Sequence, residues 1–328
     1  MEINQTHSLS YRLIKDHELF VGLASEVRKI VVGHDEIIES ILIAILCNGH
    51  LLLEGVPGIA KTTLIKTVAE VLGLDFKRIQ FTPDLLPADL IGTLIYNPKT
   101  QEFETKKGPI FSHVILADEI NRAPAKVQSA LLEAMQEHQV TIGSQSLKLE
   151  SPFLVFATQN PIEQEGTYSL PEAQVDRFMF KLLMDYPTVD QEREILKRSL
   201  VQPSLSCVFS QHDLFRMQQV VKDIYVDEKI AHYIVDIVAA TRKPGSYGLN
   251  EFVPYIRYGA SPRATIAINY ACRAHAFLFK RHFVTPDDIK AVCVAILRHR
   301  IALTYEAEAQ QITSDYIIHK IIRVVPTP

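Results

Sequence analysis

The sequence predicts an α/β fold, in which a parallel sheet is flanked by helices and followed by an all-α domain. Up to about residue 187, short apolar runs at 51–53, 114–117 and 153–157 alternate with helical patterns. Continuous apolar strands between helices are typical of parallel sheets that are covered on both faces. From about residue 188 the strand-like runs stop, and helical patterns continue almost to the end of the chain.

Length, composition and net charge limit the number of domains and the class of binding partner. A chain of 328 residues with a 47% hydrophobic fraction suits about two folded domains. We expect an N-terminal tail and short helix over 1–20, an α/β core over 21–187 and a helical domain over 188–328. The net charge of -4, without a long basic stretch, does not favour nucleic-acid binding.

Cysteine spacing and the N-terminus predict the compartment. Cys47, Cys207, Cys272 and Cys293 are far apart, which favours buried free thiols in a reducing environment. The first residues lack the apolar segment of a signal peptide. The longest uncharged apolar run, 41–47, is too short to span a bilayer. The expectation is a soluble, cytoplasmic protein.

Turn residues and hydrophobic periodicity place the elements in order. The core is expected to contain a helix over 36–46, strands over 51–53 and 76–81, a hairpin insertion over 93–105, a strand over 114–117, a helix over 125–137, a hairpin over 140–149, and strands over 153–157 and 178–184. The second domain is expected to contain helices over 190–199, 213–220, 227–241, 262–280, 286–298 and 314–324, with a Gly/Pro/Tyr-rich loop over 243–259.

The segment GVPGIAKT, residues 55–62, lies between a predicted strand and a predicted helix. This is the setting of a phosphate-binding loop, because glycines permit close backbone approach and a helix N-terminus attracts anions. Lys61 would reach the β- and γ-phosphates, and the Thr62 hydroxyl would hold Mg²⁺. Ala60 stands where glycine is usual, so its backbone must be helix-like or mildly strained. The alternative is an ordinary turn before an amphipathic helix.

Two further polar sites follow predicted strands. Asp118 and Glu119 end the strand over 114–117, where Asp118 would hold Mg²⁺ and Glu119 would orient the attacking water. Asn160, after the strand over 153–157, would bind the γ-phosphate or the water. The alternatives are a helix cap for the acidic pair and a turn before proline for Asn160. Parallel sheets bind ligands beyond the carboxyl ends of their strands, where all these sites fall.

Three arginines are candidates for the transferred phosphate. Arg263 lies in the first turn of a helix opened by Ser261 and Pro262, where an anion would relieve its conflict with the helix dipole. We therefore expect the helical domain to contact the γ-phosphate through Arg263. Arg177 would complete a neighbouring subunit's site as an arginine finger, with Arg122 as a competitor. A solvated Arg263 and a local pair between Arg177 and Asp176 are the alternatives.

Five segments together resemble the motifs of MoxR-type AAA+ ATPases. They are LLEGVPGIAKT at 52–62, ADEINRAP at 117–124, ATQNP at 157–161, LPEAQVDRF at 170–178 and GASPRA at 259–264. They resemble the phosphate loop, Walker B, sensor 1, the finger-bearing segment and sensor 2, in that order. Alanine before the lysine is usual in that family.

The resemblance implies an AAA+ P-loop core with a helical lid, and ATP and Mg²⁺ as cofactors. The hairpin at 93–107 would be the helix-2 insert, and that at 139–149 the pre-sensor-1 hairpin. It further implies a ring oligomer, typically a hexamer. Such rings assemble or activate protein complexes as chaperone-like ATPases, often with partners carrying a von Willebrand factor A domain. The implied catalytic residues are Glu119, Asn160, Arg177 and Arg263; the nucleotide-binding residues are Gly55, Val56, Pro57, Gly58, Ile59, Ala60, Lys61, Thr62 and Thr63, with Val32 and Gly33 near the adenine; and the metal ligands are Thr62 and Asp118.

Two other functions remain open at this stage. Related AAA+ rings act as nucleic-acid motors or loaders, although the acidic net charge counts against that reading here. A nucleotide-sensing structural protein with little turnover is the other. Nucleic-acid binding measured across a salt series would distinguish the motor, because a steep loss of affinity with salt would favour it.

Overall fold

The computed structural model describes residues 2–161, 167–168, 170–198, 203–206 and 210–328, with side chains from residue 16 onward. The core elements are α1 Glu2–Ile30, α2 Asp35–Leu46, β1 Leu51–Gly55, α3 Lys61–Val71, β2 Phe76–Gln80, α4 Pro87–Ile91, β3 Gly92–Asn97, β4 Glu102–Lys107, β5 Val114–Asp118, α5 Ala125–Glu137, β6 Gln139–Ile142, β7 Gln145–Lys148, β8 Leu154–Gln159, α6 Glu172–Val175 and β9 Phe180–Met184. The lid elements are α7 Val189–Arg198, α8 Gln211–Asp223, α9 Glu228–Arg242, β10 Ile256–Tyr258, α10 Pro262–Leu278, α11 Pro286–Leu297, β11 Ala302–Leu303, α12 Tyr305–Ala309 and α13 Ser314–Val324.

A five-stranded parallel sheet organises the core, in the order β2-β5-β8-β1-β9. Its central strands are almost fully buried, as their continuous apolar sequences predict. Because the strands are parallel, the segments after β5, β8 and β1 all emerge at one edge. The predicted α/β fold with a helical lid is therefore confirmed.

Alternate residues of the strands enter two hydrophobic layers. Leu52, Ile115 and Val155 face the side covered by α5. Leu51 and Leu116 face the side covered by α1, α2 and α3, and this layer continues into the buried residues of the lid helices. The lid and one face of the sheet therefore share a core.

The N-terminal region differs from the expectation of a polar tail and a short helix. One helix, α1, runs through Glu2–Ile30. Phe20, Leu23 and Val27 recur at helical spacing and are buried. The buried Asp16 accepts a hydrogen bond from Arg216 of α8. Tertiary packing thus extends the helix through residues whose local sequence predicted a tail.

Smaller features depart from the expected pattern or complete it. Both predicted hairpins form, as β3–β4 and β6–β7, and they lie side by side, since a Cβ at Gly143 would lie 2.7 Å from Leu94. The lid is not purely helical, because β10, within the expected loop, pairs with β11, which follows α11. Among the described cysteines, Cys47, Cys272 and Cys293 are free, whereas Cys207 lies outside the described residues. Within the described part of the chain, no helix combines the length and apolar character needed to cross a bilayer.

His50 is a buried histidine at the amino edge of the sheet, just before β1. Its Nδ1 accepts a hydrogen bond from the Val155 amide at 3.1 Å, which leaves Nε2 to donate to the Met135 carbonyl at 3.3 Å. Burial lowers the pKa of His50 to about 4, against an ordinary value of 6.5. The folded protein therefore holds this ring neutral.

The pKa of His50 predicts an acid-dependent loss of stability. Between pH 6.5 and about 4 the unfolded chain binds a proton that folded His50 does not, so the free energy of unfolding falls as the pH falls. The full effect is about 3 kcal/mol. His50→Gln, which can keep both hydrogen bonds without titrating, is expected to flatten this part of the curve. Urea unfolding of both proteins between pH 7.5 and 4.5 measures it, and equal losses would contradict the assignment.

Candidate functional site

The segment at 55–62 forms a tight loop between β1 and α3. A Cβ at Gly55 would lie 2.5 Å from the carbonyl oxygen of Met184 in β9, so glycine is needed for this approach. Gly58 has a φ of +83°. Ala60, directly before α3, has φ 63° and ψ 22°. Of the two backbone states that the sequence allowed at Ala60, the strained left-handed one is present, at a cost of roughly 1–2 kcal/mol.

Lys61 begins α3 and lies across this loop. Its Nζ donates a hydrogen bond to the carbonyl oxygen of Gly55 at 2.6 Å. The ammonium group therefore adds its charge to that of the helix N-terminus, and both attract an anion.

A cavity of about 690 Å³ opens beside the start of α3. Val32, Thr62 and Thr63 line it together with residues of α7. Gly33 has a φ of +75°, and a Cβ there would lie 2.6 Å from Nε2 of Gln191 in α7. The volume of this cavity is in the range of ordinary ligand-binding sites. The structure thus brings Val32 to the same cavity as Thr62 and Thr63, and places Gly33 against α7.

Asp118 and Glu119 lie at the carboxyl end of β5, on the same sheet edge as the loop. Thr158 of β8 joins them, because its Oγ1 donates to Oδ1 of Asp118 at 2.5 Å and accepts from the Glu119 amide at 2.9 Å. Glu119 has φ 56° and ψ 50°, a left-handed conformation that is uncommon for this residue type. Backbone strain at both Ala60 and Glu119 is typical of a functional site.

The Glu119 carboxylate is held from two sides. Its Oε2 accepts hydrogen bonds from Nε2 of Gln80 at 2.7 Å and from Nη1 of Arg122 at 3.1 Å. Gln80 lies on β2, beside β5, and in turn accepts from Nη2 of Arg78 at 2.9 Å. Arg78 also donates to Oδ2 of Asp118, from Nε at 2.9 Å and from Nη2 at 2.6 Å. The two acidic residues are therefore linked through both neighbouring strands.

Asn160 follows β8, which lies between β5 and β1 in the sheet. It is 6% exposed. The strand order places it between the acidic pair and the phosphate loop, at the sheet edge where the sequence predicted it to lie.

The residues at this edge suit a magnesium ion. Asp118 and Thr62 supply a carboxylate and a hydroxyl, the hard oxygen ligands that Mg²⁺ prefers. A guanidinium cation already contacts Asp118, so the carboxylate attracts positive charge here. No cluster of three or more His, Cys, Asp or Glu side chains among the described residues could hold a metal without further ligands. A shared site, completed by phosphate oxygens and water, fits this pattern.

Arg177 and Arg263 lie together at the opposite edge of the sheet. Nε of Arg177 and Nη2 of Arg263 both donate to Oε1 of Gln136, at 3.1 and 3.3 Å. They line one cavity with His50 and Met179, which directly precede β1 and β9.

This placement corrects the expectation that Arg263 contacts the γ-phosphate of its own chain. The phosphate loop follows the other end of β1, and a five-residue strand separates the two edges by about 16 Å. Arg263 cannot bridge that distance from its present position. The structure therefore joins Arg263 to Arg177, and separates both from Lys61, Asp118 and Glu119.

Asp176 connects the finger-bearing segment to the lid. Its Oδ1 accepts from Nε of the buried Arg300 at 2.8 Å, and its Oδ2 accepts from the Ser261 hydroxyl at 2.9 Å. Burial lowers the pKa of Arg300, an effect that the Asp176 charge opposes. Arg300 also donates to the carbonyl oxygens of Asp176, Phe178, Met179 and Ile296. Asp176 is thus paired with the lid, and Arg177 is left to contact Gln136.

Several residues of these networks, Gln136 among them, were missed from the sequence. Thr158 lies on a strand whose pattern indicates only burial, Gln80 and Arg78 lie on the edge strand β2, and Arg300 follows a predicted helix as an ordinary charged residue. Gln80 and Arg78 carried one usable signal, because two polar residues at i and i+2 share a face of a strand beside the acidic pair.

Comparisons with known proteins agree with this fold. The profile of the ATPase family associated with various cellular activities (AAA) matches residues 50–180, and that of the AAA lid domain matches 253–321. The chain is 48% identical over 304 residues to Chaperone MoxR1 of Mycobacterium tuberculosis, covering 92% of this chain and 81% of that one. It is 31% identical over 332 residues to Protein MoxR of Methylorubrum extorquens, covering 92% and 93%. A crystal structure of a candidate ATPase from Cytophaga hutchinsonii superposes with a TM-score of 0.93, at 49% identity, over 100% of this chain and 99% of that one.

Proposed function

We propose that this chain, which belongs to the MoxR family of AAA+ ATPases, hydrolyses ATP. The ATPase cycle would drive the remodelling, assembly or activation of protein complexes. The observation that carries the hydrolase assignment is the meeting of the phosphate loop, the acidic pair and Asn160 at one edge of the sheet. Phosphoryl transfer depends mainly on positioning and electrostatics, which such a site supplies.

Each part of the site has a distinct task in this proposal. Loop N–H groups and the Lys61 ammonium bind the phosphates, while Val32 and Gly33 line the adenine side. Thr62 and Asp118 hold Mg²⁺, which neutralises charge that develops on the phosphates when it is bound. Glu119 orients the attacking water. Asn160 contacts the water or the γ-phosphate.

Gln80 and Arg122 support Glu119 as positioning residues. Both donate to Oε2 of Glu119 and leave Oε1 as the oxygen that accepts from water. The contact of Arg122 with its own chain's Glu119 favours a role within the subunit. Arg177 therefore takes the role of the finger, ahead of Arg122.

Arg177 and Arg263 together act on a neighbouring subunit's nucleotide. Their shared position, one strand length from their own phosphate loop, supports this assignment. It requires a head-to-tail interface, which closes into a ring when the rotation permits. We propose a homo-oligomeric ring, hexameric as in the family.

Protein clients fit this chain better than nucleic acid. One relative, Chaperone MoxR1, is a chaperone by name, and the net charge of this chain is -4. We propose protein complexes as clients, in the cytoplasm where ATP is supplied, with von Willebrand factor A domain proteins as partners. Binding to nucleic acid that weakens steeply with salt would favour the motor instead.

The direct test is ATP hydrolysis with Mg²⁺ as a function of protein concentration. We expect specific activity to rise with concentration, because each site needs a neighbour. Lys61→Ala is expected to remove both tight ATP binding and turnover, because the phosphates lose their cation. An unchanged ATP affinity in Lys61→Ala would contradict the site. ATP binding with no turnover at any concentration would favour the nucleotide-sensing function.

A further inference from the structure

Arg78 neutralises the carboxylate that the proposed function assigns to Mg²⁺. Two of its nitrogens contact the same oxygen, Oδ2 of Asp118, at 2.9 and 2.6 Å. The Asp118 side chain is 11% exposed and that of Arg78 is 51% exposed. The cation therefore reaches a mostly buried carboxylate from the solvent side.

The remaining hydrogen bonds determine what a metal ion would meet. Oδ1 of Asp118 is occupied by the Thr158 hydroxyl at 2.5 Å, which joins the acidic pair from within the sheet. Oδ2 is the other carboxylate oxygen, and Arg78 contacts it from the solvent side. A divalent cation or its bound water must therefore compete with the guanidinium for Oδ2, and the two positive charges also repel each other.

The same guanidinium is joined to the water-orienting carboxylate. Nη2 of Arg78 donates to Oε1 of Gln80 as well as to Asp118, and Nε2 of Gln80 donates to Glu119. Departure of Arg78 from Asp118 therefore removes one of the contacts that fix the Gln80 amide. This connects the metal ligand to the water-orienting residue by a continuous path of hydrogen bonds.

We propose that Arg78 is a positioning residue that occupies Asp118 in place of the metal and leaves it when Mg²⁺-nucleotide binds. The inference rests on the proposed nucleotide site. Its physical consequence is that Arg78 weakens metal binding, whereas a purely structural residue would strengthen it or leave it unchanged.

The test measures how strongly Mg²⁺ improves nucleotide binding. Affinity for a fluorescent, non-hydrolysable ATP analogue is measured in excess EDTA and in excess Mg²⁺, and the ratio of the two dissociation constants is compared between proteins. Arg78→Met, which keeps the apolar stem of the side chain, is expected to raise this ratio roughly threefold to tenfold, the range of a partly exposed ion pair strengthened by two hydrogen bonds. Arg78→Gln is the second variant, with the same expected direction.

Two controls separate this effect from general changes. Lys77→Ala removes one positive charge from the neighbouring position of β2, whose side chain faces the other way, and is expected to keep the wild-type ratio. Arg78→Lys keeps the charge without the forked geometry and is expected to lie between wild type and Arg78→Met.

The outcomes are distinct. A raised ratio in both neutral Arg78 variants, absent in Lys77→Ala, supports the proposal. An unchanged or lowered ratio overturns it, while ATP binding by the wild type would leave the proposed function intact. No binding of the analogue by wild type in either condition would instead overturn the nucleotide site itself.

Discussion

Glu119→Gln is expected to lower the rate of ATP hydrolysis by about 10²–10⁴-fold, while ATP affinity stays within about threefold of wild type. The amide keeps the size of the side chain but cannot polarise water as a carboxylate does. Binding is preserved because Lys61 and the loop are untouched. Steady-state hydrolysis and equilibrium binding, measured on the same preparations, give the two values.

A matched control variant shows whether the loss of hydrolysis is specific to Glu119 or follows from any Glu-to-Gln substitution. Glu133→Gln makes the same substitution on the exposed face of α5 and is expected to hydrolyse ATP at the wild-type rate. Normal turnover in Glu119→Gln would remove Glu119 from the proposed role. A large loss of ATP affinity would show instead that Glu119 supports the loop.

Arg177→Ala is expected to lower hydrolysis by about 10³–10⁵-fold when it is the only subunit present. Mixed with Glu119→Gln subunits, it should recover activity. In a randomly mixed ring, about a quarter of the interfaces then pair an intact Glu119 with an intact Arg177 from the neighbour. Activity of the mixture at several ratios is the measurement, with Arg323→Ala on α13 as an exposed-arginine control. No recovery at any ratio, in rings that demonstrably mix, would contradict action in trans.

Arg263 permits a sharper version of this experiment. If Arg177 and Arg263 both serve the neighbour's site, mixing Arg177→Ala with Arg263→Ala should not restore activity, because every subunit supplies only one of the two guanidinium groups. If Arg263 served its own subunit, the same mixture would be active. Recovery in this mixture would therefore overturn the joint placement of these arginines, while leaving Arg177 as a finger.

Residues whose role depends on their own segment were predictable from the sequence. The turn at 55–62, the end of β5 at Asp118 and the helix beginning at Pro262 follow from turn chemistry, apolar runs and capping. The sheet edge that collects Asp118 and Asn160 also followed, because parallel strands end on the same side.

Residues whose role depends on a distant partner were not predictable. Arg298, His299 and Arg300 form a short charge cluster in the sequence, yet Arg300 is buried against Asp176 and Arg298 pairs with Asp315. The direction of Arg263 depends on where the lid packs, which no local pattern contains. Hydrogen bonds across 124 and 127 residues of chain fix these groups.

The shared contact with Gln136 has a consequence for assembly at low concentration. A free arginine side chain loses up to about 2 kcal/mol of rotamer entropy when it is fixed in one orientation. Arg177 and Arg263 are both partly restrained by one amide oxygen in the isolated subunit. Part of that ordering thus accompanies folding, before any neighbour arrives, and does not oppose ring closure. Since about 1.4 kcal/mol is a tenfold change in an association constant, we expect Gln136 to lower the protein concentration at which the proposed ring forms its shared sites.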